Sequence, residues 1–392
     1  MKHDFDEKIN RFNTHSLKWD GLEERFGIKD REVLPLWVAD MDFKAPKCVI
    51  DVLVNRAKHG IFGYAGGYDS YYNAVIHWMK KRHNWNIKKE WIVFTPGVVP
   101  ALNMLVKALT HPGDEVIIQT PIYPPFYNAI KNNGCHVVEN PLKFDGTKYV
   151  MDLDDLYKKI NSKVKLMILC SPHNPVGRVW KEEELKKLGE ICIKHNILII
   201  ADEIHGDLIF KENKHIPFAS ISEDFAKNSI ICTAPSKTFN IAGLETSNMI
   251  ISNETIRKAF LRAREGCGIS KPNVFGIEAL KAAYTFGEEW LWELLNYLEE
   301  NLNFLIKYIE EKIPKIKVIK PEGTYLVWLD CKDLTFNKKE LEEFFMKNAK
   351  LILNQGHTYG NGGEGFVRIN IACPRSILEE GLNRLRKAMD CL

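Results

Sequence analysis

The chain has 392 residues, 45% hydrophobic and 27% charged, which is typical of a folded protein with two or three domains and a sizeable core. Its formal net charge of +3 is too small to indicate binding to nucleic acid or to a membrane surface. Nine cysteines without a Cys-x-x-Cys pair argue against zinc and a disulfide framework, and the absence of a signal-like N-terminus or a membrane-length apolar run favours a reduced cytoplasm.

The N-terminal part contains two segments with alternative interpretations. Residues 32–43 form an extended piece in which Trp37 either packs an N-terminal arm onto the body of the protein or faces a substrate. A helix over residues 46–59, ended by Gly60, is followed by a glycine- and tyrosine-rich loop. In that loop Tyr64 either brings a phenol to a phosphate or belongs to a plain turn.

A strand at residues 91–95, a Pro-Gly turn and an apolar helix over residues 98–109 predict a possible anion site. The backbone N–H groups of Val98 and Val99 at the helix start are free to bind a phosphate. The alternative is an ordinary strand-turn-helix connection without a bound anion, which has the same sequence pattern. After the next strand, a loop with three prolines holds Tyr123, which either stacks on a cofactor ring or packs in the core.

Three short segments are apolar throughout, with no alternation of apolar and polar residues. This pattern indicates strands of a parallel sheet that are buried on both faces. Each run leads into a polar residue, and ligands of such sheets bind beyond the carboxyl ends of the strands. We therefore expect these polar residues to share one crevice. They are Asn174 after residues 166–170, Asp202 after residues 197–201, and Lys237 after residues 230–232.

A lysine, a carboxylate and an amide around one ligand point to pyridoxal 5'-phosphate (PLP). The amine of Lys237 can condense with the cofactor's aldehyde. The carboxylate of Asp202 can keep the pyridine nitrogen protonated, so that the ring withdraws electrons. The amide of Asn174 can donate a hydrogen bond to the ring's phenolate oxygen.

Strands alternate with helices up to about residue 285, which predicts an α/β fold with a large, doubly wound, mostly parallel sheet. A long amphipathic helix over residues 288–313 then leads to a smaller α+β domain. In that domain we expect strands over residues 323–328 and 365–370 and helices over residues 338–350 and 375–391. We expect an arm (1–45) that joins the small domain, a large cofactor-binding domain (46–286) and a C-terminal small domain (287–392). In the last of these, Arg368 lies in an apolar strand and needs a carboxylate partner, from the protein or from a substrate.

Five motifs occur in one order and together resemble the fold type I PLP enzymes of the class I/II aminotransferase group. More narrowly, the chain resembles the MalY/PatB carbon-sulfur lyases, which cleave cystathionine or cysteine-like substrates, from about Trp37 to Cys373. The motifs are Pro-Gly-Val-Val-Pro-Ala-Leu (96–102), Ser-Pro-His-Asn-Pro-Val-Gly (171–177), Asp-Glu-Ile-His (202–205), Ser-Lys-Thr-Phe-Asn-Ile-Ala-Gly-Leu (236–244) and the strand of Arg368.

The resemblance implies a role for each matching residue. It implies that Lys237 binds PLP covalently and then moves the substrate's α-proton, and that Arg368 clamps the substrate's α-carboxylate. It also implies that Tyr64 reaches the phosphate of a neighbouring subunit, hence a homodimer with shared sites. The other implied cofactor contacts are Asp202 at the ring nitrogen, Asn174 at the ring oxygen and beside the carboxylate, Tyr123 on the ring face, and Val98, Val99 and Ser236 at the phosphate.

Two positions depart from the wider aminotransferase pattern. His205 stands where many aminotransferases carry a tyrosine bonded to the ring oxygen, and Glu245 stands where many carry a phosphate-binding arginine. Both departures are lyase-like, and they predict somewhat looser phosphate binding. The favoured function is β-elimination from a small sulfur amino acid; the alternatives are an aminotransferase with the same cofactor site and, ranked lower, a regulatory protein that binds a partner.

Overall fold

The computed structural model describes residues 3–392. The helices predicted over residues 46–59, 98–109 and 288–313 form with nearly the predicted bounds. The α-helices are α1 (Leu22–Phe26), α2 (Lys47–His59), α3 (Asp69–His83), α4 (Val98–Leu109), α5 (Pro125–Lys131), α6 (Leu153–Lys159), α7 (Glu182–Lys194), α8 (Glu223–Lys227), α9 (Pro235–Thr238), α10 (Glu254–Gly266), α11 (Val274–Phe286), α12 (Glu288–Lys312), α13 (Lys338–Glu343) and α14 (Arg375–Met389).

The strands are short, and those of the first two thirds of the chain are mostly buried. They are β1 (Leu34–Pro35), β2 (Ile92–Thr95), β3 (Glu115–Ile118), β4 (His136–Glu139), β5 (Lys143–Phe144), β6 (Tyr149–Val150), β7 (Val164–Cys170), β8 (Leu198–Asp202), β9 (Ser229–Thr233), β10 (Ser247–Ile250), β11 (Lys317–Ile319), β12 (Leu326–Asp330), β13 (Leu351–Ile352), β14 (Asn354–Gln355) and β15 (Phe366–Asn370).

A seven-stranded sheet with the order β2-β10-β9-β8-β7-β3-β4 forms the centre of the protein. The neighbouring pairs from β9 to β4 are parallel, and β10 runs antiparallel to both of its neighbours. Apolar side chains from both faces of the sheet enter two large buried clusters. The predicted doubly wound, mostly parallel α/β sheet is confirmed.

A second, antiparallel sheet with the order β11-β12-β15-β14 follows the long helix α12. The N-terminal strand β1 pairs in parallel with β13, far along the chain, so the arm attaches to the C-terminal part of the protein. These pairings support our proposal that the chain divides into an arm (1–45), a large domain (46–286) and a small domain (287–392).

Two predicted boundaries near the C-terminus were wrong. The strand expected over residues 323–328 begins only at Leu326, because Thr324 adopts a left-handed backbone conformation with φ 70° that a strand does not accommodate. The helix expected over residues 338–350 changes after Glu343 into a wider π-helical turn, Phe344–Asn348, that buries Phe344 and Phe345.

Among residues 3–392, no helix is both long and apolar enough to cross a membrane. Within the same range, no three His, Cys, Asp or Glu side chains are grouped in a way that could hold a metal ion.

Candidate active site

Three strand ends and one helix start surround a cavity of about 190 Å³. Lys237 lies on the short helix α9, directly after β9, while Asp202 ends β8 and Asn174 follows β7. Because these three strands are adjacent and parallel, their carboxyl ends meet at one edge of the sheet. All three side chains line the cavity, as the apolar runs before them predict.

The amine of Lys237 has a lowered pKa and a hydrogen bond to the backbone. Its Nζ donates a hydrogen bond to the carbonyl oxygen of Ala39 at 2.7 Å. The side chain is half-buried and lines the cavity. Burial lowers the pKa of Lys237 to about 8, against the opposing charge of Asp40. A neutral, nucleophilic amine is therefore accessible near physiological pH.

The carboxylate of Asp202 is buried opposite this amine. Its Oδ1 accepts a hydrogen bond from the backbone N–H of Ile204 at 3.2 Å. Burial raises the pKa of Asp202 to about 7, although the N–H donor and the charge of Lys237 oppose the rise. A carboxylate with so few partners is suited to a cationic ring nitrogen.

His205 also lines the cavity and is almost completely buried. Burial, together with the positive charges of Lys237 and Arg368, lowers the pKa of His205 to about 3, so the imidazole is neutral. Its Nδ1 has no hydrogen-bond partner among residues 3–392. An orphaned ring nitrogen beside the cavity is suited to a polar group of a ligand.

The start of helix α4 provides the anion-binding geometry that the sequence predicts. Gly97, Val98 and Val99 line the cavity together with Ser236, and no side chain caps the helix. The first-turn N–H groups of Val98 and Val99 therefore remain available to a phosphate, with the helix dipole adding to the attraction. An amine, a carboxylate, a neutral imidazole and a phosphate-binding helix start fit PLP.

Tyr123 lines the same cavity and is half-buried. Burial raises the pKa of its phenol, so the ring remains neutral at physiological pH. Its position allows the predicted stacking on a cofactor ring.

Arg368 is buried beside the cavity and is held by neutral groups. Its Nη1 donates to Oδ1 of Asn174 at 2.9 Å, and its Nη2 donates to the carbonyl oxygen of Trp37 at 2.9 Å and to the side chain of Asn354. The guanidinium carbon lies 5.4 Å from the ring centroid of Tyr359. Within the described part of the chain it has no carboxylate partner, so its charge is available to a substrate.

Trp37 contributes its backbone but not its ring to this arrangement. Its indole is 6% exposed, packs edge-on against Phe26 and donates from Nε1 to the carbonyl oxygen of Lys18. The indole of Trp37 therefore packs the arm onto the body of the protein, and Trp37 is not among the residues that line the Lys237 cavity.

Tyr64 lies outside the Lys237 cavity and is fully exposed. It lines an adjacent cavity of about 500 Å³, which shares Pro96 and Glu245 with the Lys237 cavity. Glu245 thus places a carboxylate between the two cavities, where many aminotransferases carry an arginine. Within one chain, Tyr64 does not join the other predicted site residues.

Two residues of the site were not found from the sequence. Ala39 accepts hydrogen bonds from both Lys237 and the hydroxyl of Tyr325, the latter at 2.9 Å. Asn354 pairs with Arg368 across strands β14 and β15. These contacts join distant parts of the chain, and a carbonyl oxygen carries no side-chain signal in a sequence.

The family profile "Aminotransferase class I and II" matches residues 31–385. The chain belongs to this family. It is 45% identical to cystathionine β-lyase PatB of Bacillus subtilis, over 98% of this chain and 99% of that protein.

Two solved structures superpose closely on this chain. One is a PLP-bound protein of Clostridium difficile 630 described provisionally as an aminotransferase, with 49% identity, a TM-score of 0.97 and coverage of 99% of this chain and 100% of that one. The other is cystalysin of Treponema denticola, which contains PLP, with 41% identity, a TM-score of 0.97 and full coverage of both chains.

Proposed function

We propose that this member of the class I and II aminotransferase family is a PLP-dependent carbon-sulfur β-lyase. It cleaves L-cystathionine or a cysteine-like substrate into a thiol, pyruvate and ammonia. The likeness to cystathionine β-lyase PatB over the full length of the chain supports the activity. The observation that carries the proposal is the single cavity lined by Lys237, Asp202 and Asn174 beside a buried Arg368 without a protein carboxylate.

Each residue has a proposed task. Arg368 binds the substrate's α-carboxylate with its guanidinium, and Asn174, which contacts Arg368, lies beside the same group. Lys237 would hold PLP, and its amine would accept the substrate's α-proton, which its lowered pKa permits. Asp202, Tyr123 and His205 line the cavity, where Asp202 would keep a ring nitrogen protonated, Tyr123 would stack on the ring and His205 would offer it a polar contact.

When bound, PLP supplies a ring that delocalises the charge left after the α-proton is removed. The Cβ–S bond of the substrate then breaks with its electron pair going to sulfur, and sulfur leaves as a thiol by taking the proton held on the Lys237 amine. Hydrolysis of the remaining unsaturated amine gives pyruvate and ammonia. Val98, Val99 and Ser236 would hold the phosphate of PLP through backbone N–H groups and a hydroxyl.

We also propose a homodimer in which Tyr64 of one subunit completes the site of the other. The fully exposed phenol of Tyr64 lines a cavity adjacent to the phosphate-binding helix start. Large apolar side chains of helix α2 and of the segment that joins it to Tyr64 are exposed as well, and a partner subunit would cover them. They are Ile50, Val54, Ile61 and Phe62.

The test is pyruvate release from L-cystathionine by PLP-loaded protein without any 2-oxo acid. We expect catalytic release of pyruvate with an equimolar thiol, and no release by Lys237→Ala. The Lys237→Ala protein should also lack the covalent PLP-lysine bond that borohydride fixes in the wild type. Pyruvate formation that persists in this variant contradicts the assignment of Lys237.

An aminotransferase is the second candidate, favoured by the description of the Clostridium difficile relative. It differs in returning the α-proton to the cofactor instead of expelling a β-substituent. Exchange of amino groups that requires a 2-oxo acid, without pyruvate release in its absence, would assign the chain to this activity.

A further inference from the structure

A second cavity, of about 310 Å³, lies beside the segment that follows strand β8. Ile204 and His205 of this segment line the Lys237 cavity, whereas Gly206 and Ile209 line the second one. The two cavities share no lining residue. The second cavity is therefore a separate space, bounded by the end of α3, by residues 206–215 and by α12.

Positive charge dominates the wall of this second cavity. Arg82, Lys211 and Lys214 line it, against the single lining carboxylate of Glu299. Lys211 lies 3.5 Å from Glu299. Arg82 donates to the carbonyl oxygen of Asp207 at 3.0 Å, and its Nε lies 3.9 Å from the carboxylate of the same residue. Lys214 has no ion-pair partner among residues 3–392, so its ammonium group is free to meet an anion.

Two histidines extend the polar wall toward the protein interior. His83 and His215 each use Nε2 to bond a buried carboxylate at 2.9 Å, Asp207 and Glu203 respectively. Both line the cavity, and their ring centroids are 5.4 Å apart. Because each Nε2 donates to a carboxylate, the Nδ1 of a neutral ring is an acceptor. Neither Nδ1 atom has a partner in the described part of the chain, so each can accept a hydrogen bond from a ligand N–H or O–H.

The opposite wall is apolar and partly uncovered. Trp292 on helix α12 lines the cavity with 67% of its surface exposed, beside Leu295. An exposed indole next to a basic cavity offers a flat apolar surface for stacking. Neither an inorganic anion nor a neutral apolar molecule would use both walls.

We propose that this cavity binds a small carboxylate that carries an aromatic or branched apolar group. The carboxylate lies toward Lys214 and Arg82, and the apolar group covers the indole of Trp292. The ligand is not the substrate of the Lys237 site, because the cavity contains none of that site's residues.

Calorimetry with 3-phenylpropanoate as the probe tests the proposal. PLP-loaded Arg368→Ala protein is the background, because Arg368 would itself attract a carboxylate to the Lys237 site. We expect one probe per chain and an affinity about tenfold weaker in Lys214→Gln and in Trp292→Ala, typical of one lost charged or stacking contact. Both positions are exposed, so both variants should fold.

Controls distinguish the proposed ligand class from simpler binding. Lys187→Gln, an exposed lysine on α7, should leave the affinity unchanged. 3-Phenylpropanol lacks the charge and inorganic phosphate lacks the ring, so each should bind at least about tenfold more weakly. Equal binding of either compound, no binding of the probe, or unchanged affinity in both cavity variants overturns the proposal.

Discussion

Lys237 and Ala39 are joined by a 2.7 Å hydrogen bond from the lysine Nζ to the backbone carbonyl oxygen. The same oxygen accepts from the hydroxyl of Tyr325 at 2.9 Å. The N-terminal segment, helix α9 after strand β9 and the segment just before strand β12 therefore meet at one atom. A substitution that shifts any of these three segments should change the environment of the Lys237 amine.

Arg368→Ala should lower kcat/KM for L-cystathionine by about 2 to 4 kcal/mol, because a buried charged pair with the substrate carboxylate is lost. Steady-state kinetics with the PLP-loaded variant measures the effect. Arg384→Ala, which alters an arginine on α14 that pairs with Glu380, is the matched control. An unchanged kcat/KM in Arg368→Ala would show that its role is only structural.

The amine of Lys237 should react as a base of pKa about 8, instead of the ordinary 10.5, because burial disfavours its cation. Its labelling by acetic anhydride in the apoprotein should therefore rise through pH 8 and level off above it. Asp40→Asn should move the midpoint lower, since the charge of Asp40 raises the pKa of Lys237. Peptide mass spectrometry of the labelled lysine gives both midpoints; a wild-type midpoint near 10.5 contradicts the assignment.

Asp202→Asn should stabilise the apoprotein at pH 8 by about 2 to 4 kcal/mol, because ionising the buried acid opposes folding. The pKa of Asp202 rises from 3.8 to about 7 in the folded protein, so its destabilising effect grows between these values and is constant above them. Urea unfolding should show a smaller gain at pH 5 than at pH 8. The variant should nevertheless bind PLP more weakly; equal gains at both pH values would argue against the raised pKa.

Lys18→Met should destabilise the protein by about 3 to 5 kcal/mol, the usual effect of removing one partner of a buried ion pair. The fully buried Lys18 Nζ lies 2.6 Å from Asp42, which Arg11 also contacts at 2.7 Å. Lys18→Met/Asp42→Leu should recover much of the loss, because no buried carboxylate is left without its lysine. Thermal unfolding of both variants measures these effects. A single variant as stable as the wild type would show that Arg11 and the indole N–H of Trp19 satisfy Asp42 without Lys18.

A mixture of Lys237→Ala and Tyr64→Ala subunits tests the shared site. Each homodimer should be inactive or weakly loaded with PLP, but a mixed dimer contains one site with both native residues. Refolding the two variants together should restore pyruvate release toward half of the wild-type value per mixed dimer. Lys237→Ala mixed with Lys237→Ala/Tyr64→Ala is the control that should remain inactive, and no recovery in the test mixture would contradict a role for Tyr64 across subunits.

The sequence predicts the local parts of this structure better than the contacts between them. Helix α4 has the predicted bounds because its apolar periodicity and the preceding Gly97 mark them unambiguously. The shared cavity of Asn174, Asp202 and Lys237 follows from the rule for parallel strand ends. The start of β12 was missed because no pattern reveals the left-handed backbone of Thr324.

The contacts of Trp37 and Arg368 show a different limit. A tryptophan between apolar residues has the same pattern whether its ring packs on the body or faces a substrate. The structure separates these alternatives through long-range contacts, with the ring against Phe26 and the carbonyl oxygen on Arg368. The neutral partners of Arg368 could not be predicted from the sequence either, because Asn354 is seen to face Arg368 only when the pairing of strands β14 and β15 is known.

The pairing of β1 with β13 also bears on the protein's synthesis. Trp37 emerges early from the ribosome, but its contact with Arg368 spans 331 residues. The large sheet can form while translation continues, whereas the arm has no docking strand until nearly the whole chain has been made. A chain that stops before strand β13 therefore contains Lys237 and the strand before it but lacks Arg368. Its arm, which carries the carbonyl group of Ala39, has no strand to pair with. The site becomes complete only in finished chains.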